Sequence, residues 1–365
     1  MALPHAAHPA LVAEGAAARP AWEELVAGSG GVALAKTPQW FDCVRDSGRF
    51  ADATLLFAGA DGRPLVLPRL RRTGPVPGLF EAPPPGWGLG ADAGGLVAVA
   101  DQASPGELAA VVEQLVRHPG LRTRVMVGGA EAAAWASAVP RQVPCSVRAA
   151  RVLDLDGGFG EVWARRFTGK VRSQSRKAER RSVVVESDST GRLVPVFDRL
   201  YRRSVDRWAR QGGRPSAMMR WRAGRADPRD KFAAVAARLG PRCTVWIAWH
   251  EGEPVAGIIV LARGERAIYW RGAMDERRAR GTGANELLHR SAIEAECARG
   301  RRSYDFGLSQ SDSLTRFKGG FGAHDVPVRV YHFERLPLSA TEARARAAAR
   351  RAVLAATAVG RTGRR

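Results

Sequence analysis

Residues 266–321 carry the clearest pattern in the sequence: RAIYWRGAMDERRARGTGANELLHRSAIEAECARGRRSYDFGLSQSDSLTRFKGGF. The apolar run Ala267–Trp270 predicts a strand, and Ala284–Ala298 has the length and spacing of a helix. Between them lies a glycine-rich loop, Arg278–Gly283. A loop of this kind in front of a helix directs backbone N–H groups at a ligand, so the pattern predicts an anion site.

The same segment continues with a second strand and a second glycine-rich stretch. Ser303–Phe306 predicts the strand, and Phe317–Gly322 predicts a turn that carries Lys318. An ammonium group in such a turn can stabilise an oxyanion or a substrate phosphate, although an ordinary exposed lysine is the alternative. Phe317 and Phe321 are expected to anchor this turn in the core and to border the substrate. The whole segment therefore predicts a site for an anionic ligand, with a cleft beside it.

The loop before the helix has the composition of an anion nest. Glycine adopts positive φ without strain, and successive free N–H groups then converge on a phosphate at the helix N-terminus. The loop lacks the Gly-Lys-Ser/Thr of a Walker loop and does not match G-x-G-x-x-G. An ordinary helix start preceded by glycines is the alternative. The residues predicted to hold a diphosphate are Arg278, Arg280, Gly281, Thr282, Gly283 and Ala284.

Composition sets the class of protein and of partner. A chain of 365 residues suggests about two domains. The formal net charge is +21, and arginine dominates over the five lysines. A solvated arginine-rich surface explains part of this charge, and a polyanionic partner such as CoA, tRNA or a phospholipid-linked precursor explains the rest. The lysines are Lys36, Lys170, Lys177, Lys231 and Lys318.

Cysteine spacing and hydropathy point to the cytoplasm. The four cysteines are far apart in the chain and form no C-x-x-C pair, as expected of reduced thiols, and no metal site is predicted. The sequence has no run of 18 apolar residues, so no transmembrane helix is expected. The N-terminus lacks the basic region of a signal peptide.

Outside the central segment, the hydrophobic pattern alternates between hairpins and helices. Thr37–Pro38 is a helix start and Asp61–Gly62 is a hairpin turn. The long loop 73–95 contains Trp87 and Leu89 and is expected to be ordered, with these side chains lining part of the structure. Further helices are predicted at 21–27, 107–116, 159–181, 193–210, 230–239 and 339–358. Further strands are predicted at 54–57, 64–67, 123–127, 145–155, 183–185, 244–249, 255–261 and 326–334.

This mixture predicts an α/β (α+β) fold of mostly antiparallel sheets flanked by helices. The two halves look like related units in tandem. The predicted divisions are a disordered N-terminus at 1–20, a first domain at 21–155, a second domain at 156–336 and a basic C-terminal helix or tail at 337–365.

The loop Arg278-x-x-Gly281-x-Gly283 resembles the loop that binds the CoA pyrophosphate in the GNAT superfamily of acyltransferases. Tyr304–Gly307 and Phe317–Gly322 resemble the C-terminal signature of the BioF2-like and FemABX-like branch, as does the basic helix Lys170–Arg181. The resemblance covers about residues 30 to 335 and implies two GNAT-like domains in tandem.

The resemblance implies acyl transfer to an amine. FemABX-like members take the acyl group from aminoacyl-tRNA, and other members of the branch are acyl-CoA-type transferases; the intact glycine loop favours acyl-CoA here. The implied acceptor is an amino sugar, an amino acid or a lipid-linked cell-envelope precursor. The resemblance also places Lys318 at the acyl-transfer or phosphate site, and it places the donor against Trp270 and Arg271, where the family splays two strands.

Acyl transfer needs a base for the ammonium nucleophile and a proton donor for the leaving group. Candidates for the base are Asp305, Glu286 and His289, each with an ordinary structural role as the alternative. Tyr304 is a candidate proton donor. Positioning alone can supply much of the rate, so a missing base does not exclude the reaction.

The basic helix before residue 181 is the candidate wall of the phosphate groove, with a solvated basic face as the alternative. Two other functions stay open. The enzyme can use aminoacyl-tRNA, with this helix following the RNA, or the chain can be a non-enzymatic protein that holds nucleic acid or an anionic membrane. The residues predicted to bind substrate on the helix are Lys170, Arg172 and Arg176.

Overall fold

The computed structural model describes residues 9–59, 61–91, 94–98, 103–211, 224, 227–228, 230–309, 311–345, 347–348 and 351. Its named helices are α1 Arg19–Gly28, α2 Pro38–Val44, α3 Pro105–Arg117, α4 Glu131–Ala138, α5 Gly158–Glu161, α6 Gly169–Arg180, α7 Val194–Gln211, α8 Lys231–Leu239, α9 Glu276–Ala279, α10 Ala284–Ala298 and α11 Asp312–Gly319. Its strands are β1 Ala10–Glu14, β2 Phe50–Asp52, β3 Leu55–Ala58, β4 Pro64–Leu67, β5 Leu70–Arg72, β6 Leu79–Ala82, β7 Arg122–Gly128, β8 Cys145–Asp154, β9 Val184–Asp188, β10 Cys243–His250, β11 Glu253–Arg263, β12 Arg266–Met274, β13 Ser303–Leu308 and β14 His324–Glu334.

One sheet of eleven strands runs through the molecule in the order β2-β5-β6-β7-β14-β8-β13-β12-β11-β10-β9. Its pairs are antiparallel except β6 with β7 and β12 with β13. The strands β1, β3 and β4 form a second, small antiparallel sheet. The predicted fold class, mostly antiparallel sheets flanked by helices, is confirmed.

The two halves of the chain exchange strands at the centre of the large sheet. β8, at the end of the first half, pairs with β13 of the second half, and the last strand, β14, pairs with β7 of the first half. β8 and β14 then pair with each other over eight residues of each strand. Strand pairing therefore joins the two predicted domains across the boundary near residue 155. The division into domains stays a prediction.

Helices cover both faces of the second half of the sheet. On one face, α6 and α10 pack on residues such as Val260, Ala267 and Phe306. On the other face, Ile247, Ile268 and their neighbours pack against α1, α2, α7 and α8. The helices of the first half therefore also cover the second half, and their connecting loops reach its strand ends.

Local signals in the sequence placed several elements correctly. Thr37 caps α2 by accepting from Trp40 N at 3.3 Å. Ser104 and Glu107 form a reciprocal capping box at the start of α3. The hairpin of β3 and β4 turns at Asp61–Gly62, as predicted.

Two predicted elements differ in the structure. The stretch 159–181 is broken, because Phe167 turns into the core against Phe321 and Thr168 then caps a new helix by accepting from Val171 N. Phe317, Lys318 and Gly319 lie in α11 and not in a turn. The Ser311 hydroxyl caps this helix, and the glycines at 319 and 320 end it. The two glycines led to the prediction of a turn, whereas they mark the C-terminal end of a helix.

The chain ends also differ from the prediction of disorder and of a long tail helix. Residues 10–18, expected to be unstructured, form β1 and a 3-10 turn, because β1 pairs with β3 in the small sheet. Residues 1–8 lie outside the described part of the chain. The predicted helix at 339–358 is helical over 338–345, and most of its remainder lies outside the described residues.

Candidate functional site

The strands β12 and β13 separate after a short parallel contact. They pair from Arg266 with Ser303 to Ile268 with Asp305, and no pairing follows. β12 continues to Met274, so its edge faces a gap beyond the end of this contact. A gap between two parallel strands exposes backbone N–H and C=O groups that a ligand can meet.

A β-bulge lies on β12 at this gap. Ile259 pairs with Arg271 and Val260 pairs with Tyr269, so Trp270 is the extra residue. A bulge turns two successive side chains to one face of a sheet. Arg271 accordingly lies over the Trp270 ring at 5.0 Å. Trp270 packs against residues of the first half of the chain, and Arg271 donates to Gly86 O of that half.

The predicted anion nest has the expected backbone geometry. Gly281 and Gly283 have φ of 71° and 78°, the left-handed region. Their N–H groups make no hydrogen bond within the described residues, and Gly283 immediately precedes the 15-residue helix α10. Two free N–H groups at the positive end of a helix can bind a phosphate. Gly283 is also a packing requirement, since a Cβ there would lie 2.3 Å from Gln174 O.

The other predicted residues of the loop are mostly engaged within the protein. Arg278 pairs with Glu253 at 2.9 Å, and Arg280 lies 3.5 Å from Glu276. The buried Thr282 hydroxyl donates to Ala279 O and accepts from Ala284 N. These contacts shape the loop, whereas its two glycines offer the free N–H groups.

Arg181, at the C-terminal end of α6, contributes a cation that the sequence did not single out. Its Nη1 donates to Gly281 O at 3.0 Å. The exposed side chain therefore stands beside the nest, where its charge favours an anion.

Lys318 lies in α11, and its side chain reaches the end of β13. Its Nζ donates to Gly307 O at 3.0 Å and to Leu308 O at 2.9 Å, and the residue is 3% exposed. Burial lowers the pKa of Lys318 to about 8, and the nearby Arg151 adds to this, while Asp305 opposes it. An ammonium has three N–H donors, so one remains after the two carbonyl contacts.

Asp305 joins the two halves of the chain. Its Oδ2 accepts from Ala91 N at 2.5 Å and its Oδ1 accepts from Gly307 N at 2.6 Å. A Cβ on Gly90 would lie 1.8 Å from Oδ2, so the loop approaches the carboxylate closely. With both oxygens engaged, Asp305 holds the first-half loop to β13, and this geometry opposes a role as general base.

His289 and Tyr304 lie in the core below the site. The His289 ring contacts the rings of Phe317 and Phe321 at 5.5 and 5.6 Å, and its Nδ1 lies 3.3 Å from Tyr304 Oη. Burial, with a contribution from Lys318, lowers the pKa of His289 to about 3. Burial also raises the pKa of Tyr304 well above its usual value. Their burial opposes proton exchange with a substrate; the His289 ring instead packs against Phe317 of α11, and the Tyr304 ring packs against His289 and Phe306.

Glu286 is the remaining candidate base. It lies in the first turn of α10, is half-buried, and has no hydrogen bond or ion pair within the described residues. Its position in the first turn places the side chain near the positive end of the helix.

The basic helix is less uniform than its sequence suggests. Lys170 is exposed at the start of α6, and Arg176 is exposed with its guanidinium 5.7 Å from the Trp163 ring. The Arg172 guanidinium instead donates to the carbonyls of Trp163, Ala164 and Phe167. Arg172 thus caps the preceding helical segment and is not available to a ligand.

The two glycine-rich stretches lie beside the same two helices. Gly283 packs on Gln174 of α6 and begins α10. Gly320, next to α11, packs on Val171 of α6, and the α11 ring of Phe317 contacts His289 of α10. The nest and the segment that carries Lys318 therefore both pack against α6 and α10, and a shared site between them stays a prediction.

A buried ionic cluster beside the bulge escaped sequence analysis. Lys231 Nζ pairs with Asp227 Oδ1 at 2.7 Å and lies 3.7 Å from the Trp87 ring. Tyr201 Oη donates to Asp227 Oδ2 at 2.5 Å, and Arg271 lies 3.2 Å from Oδ1. The scarcity of lysine was the one available signal for Lys231.

This cluster holds the long loop of the first half. Lys231 and Arg271 both donate to Gly86 O, and Trp40 Nε1 donates to Trp87 O at 3.2 Å. Together with the Asp305 contact, the loop is fixed to both strands that border the gap. The loop is ordered around Trp87, as predicted. Trp87 itself is buried against Trp40 and Trp270, so its role in lining a site stays a prediction.

Two negative observations apply to the described part of the chain. None of its helices combines the length and the apolar character that a membrane span requires. Among the described residues, no group of three or more His, Cys, Asp or Glu side chains has the arrangement of a metal site.

Comparison with known proteins agrees with the fold. Residues 165–319 match the family described as acetyltransferase (GNAT) domain. The structure of FemX is similar with a TM-score of 0.60 at 12% identity, covering 90% of this chain and 97% of that one. No curated protein matches this sequence.

Two further solved structures share the fold. The C-terminal domain of a putative lysylphosphatidylglycerol synthetase from Agrobacterium fabrum gives a TM-score of 0.52 at 14% identity, covering 85% of this chain and 92% of that one. L-PGS from Bacillus licheniformis gives 0.50 at 13% identity, covering 88% and 94%. Residues 165–319 therefore form a GNAT-superfamily domain, and the chain has a FemABX-like fold.

Proposed function

We propose that the protein is an N-acyltransferase that moves an acyl group from acyl-CoA to an amine. The observation that carries this proposal is the pair of free N–H groups at Gly281 and Gly283, at the start of α10. They suit the diphosphate of CoA, and the gap between β12 and β13 lies next to them in the chain. We place the reaction in the cytoplasm, where CoA is available and where the four separated cysteines remain reduced.

In the proposed reaction, the amine nitrogen attacks the thioester carbonyl carbon, the carbon–sulfur bond breaks, and the thiolate takes up a proton. The remaining N–H of Lys318 and the backbone at the Trp270 bulge are the groups proposed to stabilise the oxyanion. Glu286 is the proposed acceptor of the ammonium proton, since Asp305 and His289 are engaged or buried. The carboxylate can act directly or through a water molecule.

A second donor, aminoacyl-tRNA, is favoured by the exposed basic face of α6. Lys170, Arg176 and Arg180 are exposed there, and the fold is similar to that of FemX. The acceptor under either donor is a small or lipid-linked amine. Binding of tRNA that weakens steeply with salt, together with no binding of CoA, would replace the acyl-CoA proposal with this one.

Substituting Gly281 tests the nest. Gly281→Val places a β-branched residue at a φ of 71°, so the loop must change and its N–H groups turn away. We expect CoA affinity in calorimetry to fall by about a hundredfold or more, since two hydrogen bonds to a charged group are lost.

Gly300→Val is the matched control. Gly300 has a φ of 73°, has no atom within 4 Å of an added Cβ, and follows the other end of α10. Its backbone strain is therefore similar, and we expect CoA affinity to stay unchanged. Equal affinity in both variants would refute the nest, and CoA binding without any acyl transfer would favour a non-enzymatic role.

A further inference from the structure

Within the described residues, the ionic cluster beside the bulge has two cations that share one carboxylate. Lys231 and Arg271 both pair with Asp227 Oδ1, at 2.7 and 3.2 Å. Tyr201 donates to the other oxygen of this carboxylate. The preceding stretch, 212–226, contains four arginines and no Asp or Glu, so it adds no carboxylate. Buried cations are costly unless anions compensate them, so the cluster favours the binding of a further anion.

A buried N–H group of the same cluster lacks an acceptor. The Trp270 ring lies 5.4 Å from Lys231 Nζ and 5.0 Å from the Arg271 guanidinium. Trp270 is 6% exposed, and its Nε1 finds no hydrogen-bond acceptor within the described residues. The neighbouring Trp40, in contrast, donates from Nε1 to Trp87 O. Nearly all buried N–H groups in folded proteins have an acceptor, so this one indicates an acceptor that a ligand supplies.

Arg271 is the member of the cluster that a ligand can reach. Its side chain is 18% exposed, and its Nη2 donates to the carbonyl of the exposed Gly86. A Cβ added to Gly86 would meet no atom within 4 Å, so there is open space beside this contact. Nη1 donates to Trp270 O at 2.9 Å, whereas Nε makes no hydrogen bond within the described residues. The guanidinium therefore keeps donors for a further acceptor.

The cluster and the nest lie on opposite faces of the sheet. The Trp270 side chain packs among residues of the first half of the chain. The helix α10, which begins at the nest, packs on the other face, for example through Leu287 and Leu288. The contact of Arg271 with Trp270 O nevertheless places the guanidinium at the bulge, where the oxyanion is proposed to form. A ligand group on Arg271 would thus be close to the reacting carbonyl and away from the diphosphate.

We propose that the Arg271 guanidinium, with the charge of Lys231 and the indole N–H of Trp270, binds a carboxylate of the acceptor, so that the acceptor is an amino acid. A guanidinium pairs with a carboxylate through two parallel hydrogen bonds, which fixes the orientation of the ligand. In an α-amino acid the amine is on the carbon next to the carboxylate, so it would lie at the bulge. This inference rests on the amine acceptor of the proposed function and is independent of the donor.

Acetate tests the site without an acyl donor. In ¹⁵N-labelled protein at constant chloride and ionic strength, we expect acetate to shift the Nε1–H resonance of Trp270 and to saturate on the order of millimolar concentration. The resonance is assigned by its loss in Trp270→Phe. Acetamide has a similar shape and no charge, and it should leave the resonance in place. Saturating CoA should not displace acetate, since the nest is a separate site.

Arg271→Gln removes the charge and the paired donors, and Arg124→Gln is its matched control. Arg124 is 15% exposed, pairs with Glu81 at 3.5 Å, and donates to Pro83 O at 2.9 Å in the same first-half loop. We expect acetate affinity to fall about tenfold or more in Arg271→Gln and to stay within about twofold in Arg124→Gln. Arg271→Lys should recover part of the loss, and CoA affinity should be unchanged in all three variants.

Several results would overturn the inference, and the acetate titration of the unchanged protein decides even where a variant fails to fold. No shift with acetate, or an equal shift with acetamide, would show that the cluster does not bind a carboxylate. Lower CoA affinity in Arg271→Gln with acetate binding intact would assign this side chain to the donor.

Two further results separate this inference from the proposed function. Acyl transfer to alaninamide with the same kcat/KM as to alanine would leave the proposed function standing and refute the carboxylate site. Saturable acetate binding in a protein that fails to bind CoA would support the carboxylate site and refute the proposed donor.

Discussion

Lys318→Met is expected to lower the rate of acyl transfer by about a hundredfold to a thousandfold, the usual loss for one oxyanion donor. Two of the three ammonium donors of Lys318 are fixed by Gly307 O and Leu308 O, which aims the third. Methionine keeps the length of the side chain and removes the charge. The rate is measured with saturating acyl-CoA, and CoA affinity is expected to stay near that of the unchanged protein, since the nest is intact.

Lys36→Met is the control for the loss of a buried lysine. Lys36 is also buried, and its Nζ donates to Leu96 O at 3.0 Å and pairs with Glu131, in the first half of the chain. Both substitutions leave buried acceptors without a donor and should destabilise the fold to a comparable extent. Only Lys318→Met should lose transfer activity in the folded protein. If both variants keep full activity, Lys318 has only a structural role.

The pH dependence gives a second readout for Lys318. Since burial lowers its pKa to about 8, the ammonium form decreases as pH rises through 8, and the transfer rate should fall about tenfold per pH unit above it. Lys318→Arg, which keeps the charge, should move this fall to higher pH. A wild-type rate that stays flat from pH 7 to 10 would contradict the need for the ammonium.

Stability should change in the opposite direction over the same range. The unfolded lysine keeps its proton up to about pH 10.4, whereas the folded one loses it near 8. The unfolded state then binds more protons, so the free energy of unfolding rises with pH between these values. Denaturant midpoints that rise from pH 8 to 10 while the rate falls would show that lost activity is not lost structure.

Local patterns predicted most of the elements around the site. Ala284–Ala298 is a helix over the predicted range, and the positive φ of Gly281 and Gly283 follows from the absence of a Cβ. Such features depend on residues close in sequence. The same reasoning failed at Lys318, where two glycines end a helix instead of forming a turn.

Features that depend on pairing between distant segments were not predictable. The bulge at Trp270 arises from the register of β12 against β11, and one extra residue reverses which face each later side chain takes. The engagement of Asp305 needs the amide of Ala91, more than two hundred residues away in the chain.

Asp227→Asn is expected to destabilise the protein by about 3–5 kcal/mol, the usual effect of breaking a buried ion pair. Asp227 is the shared partner of Lys231, Arg271 and Tyr201, and its removal leaves two cations close together. Although burial opposes it, the charges of Arg271 and Lys231 lower the pKa of Asp227 to about 2, so the carboxylate is ionised at all ordinary pH values. Urea unfolding at pH 6 measures the loss.

Two comparisons separate charge from packing in this cluster. Asp198→Asn breaks the Asp198–Arg202 pair, which has the same i,i+4 spacing as Asp227–Lys231 but is partly exposed, so the expected loss is about 0.5 kcal/mol. Adding Lys231→Met to Asp227→Asn removes one uncompensated cation and should recover part of the stability. A double variant no more stable than Asp227→Asn would show that the cost is one of packing.

The loss of unfolding free energy in Asp227→Asn should also depend on pH, and it should be larger at pH 6 than at pH 9. Burial, with Arg271 adding to it and Asp227 opposing it, lowers the pKa of Lys231 to about 7. Without the carboxylate this pKa falls further, so at pH 6 the variant either buries an unpaired charge or gives up the proton. At pH 9 the folded lysine is neutral in both proteins, and the difference in unfolding free energy should shrink. A difference that stays constant from pH 6 to 9 would mean that Lys231 does not titrate in this range and that Gly86 and its loop are held by the ion pair at every pH.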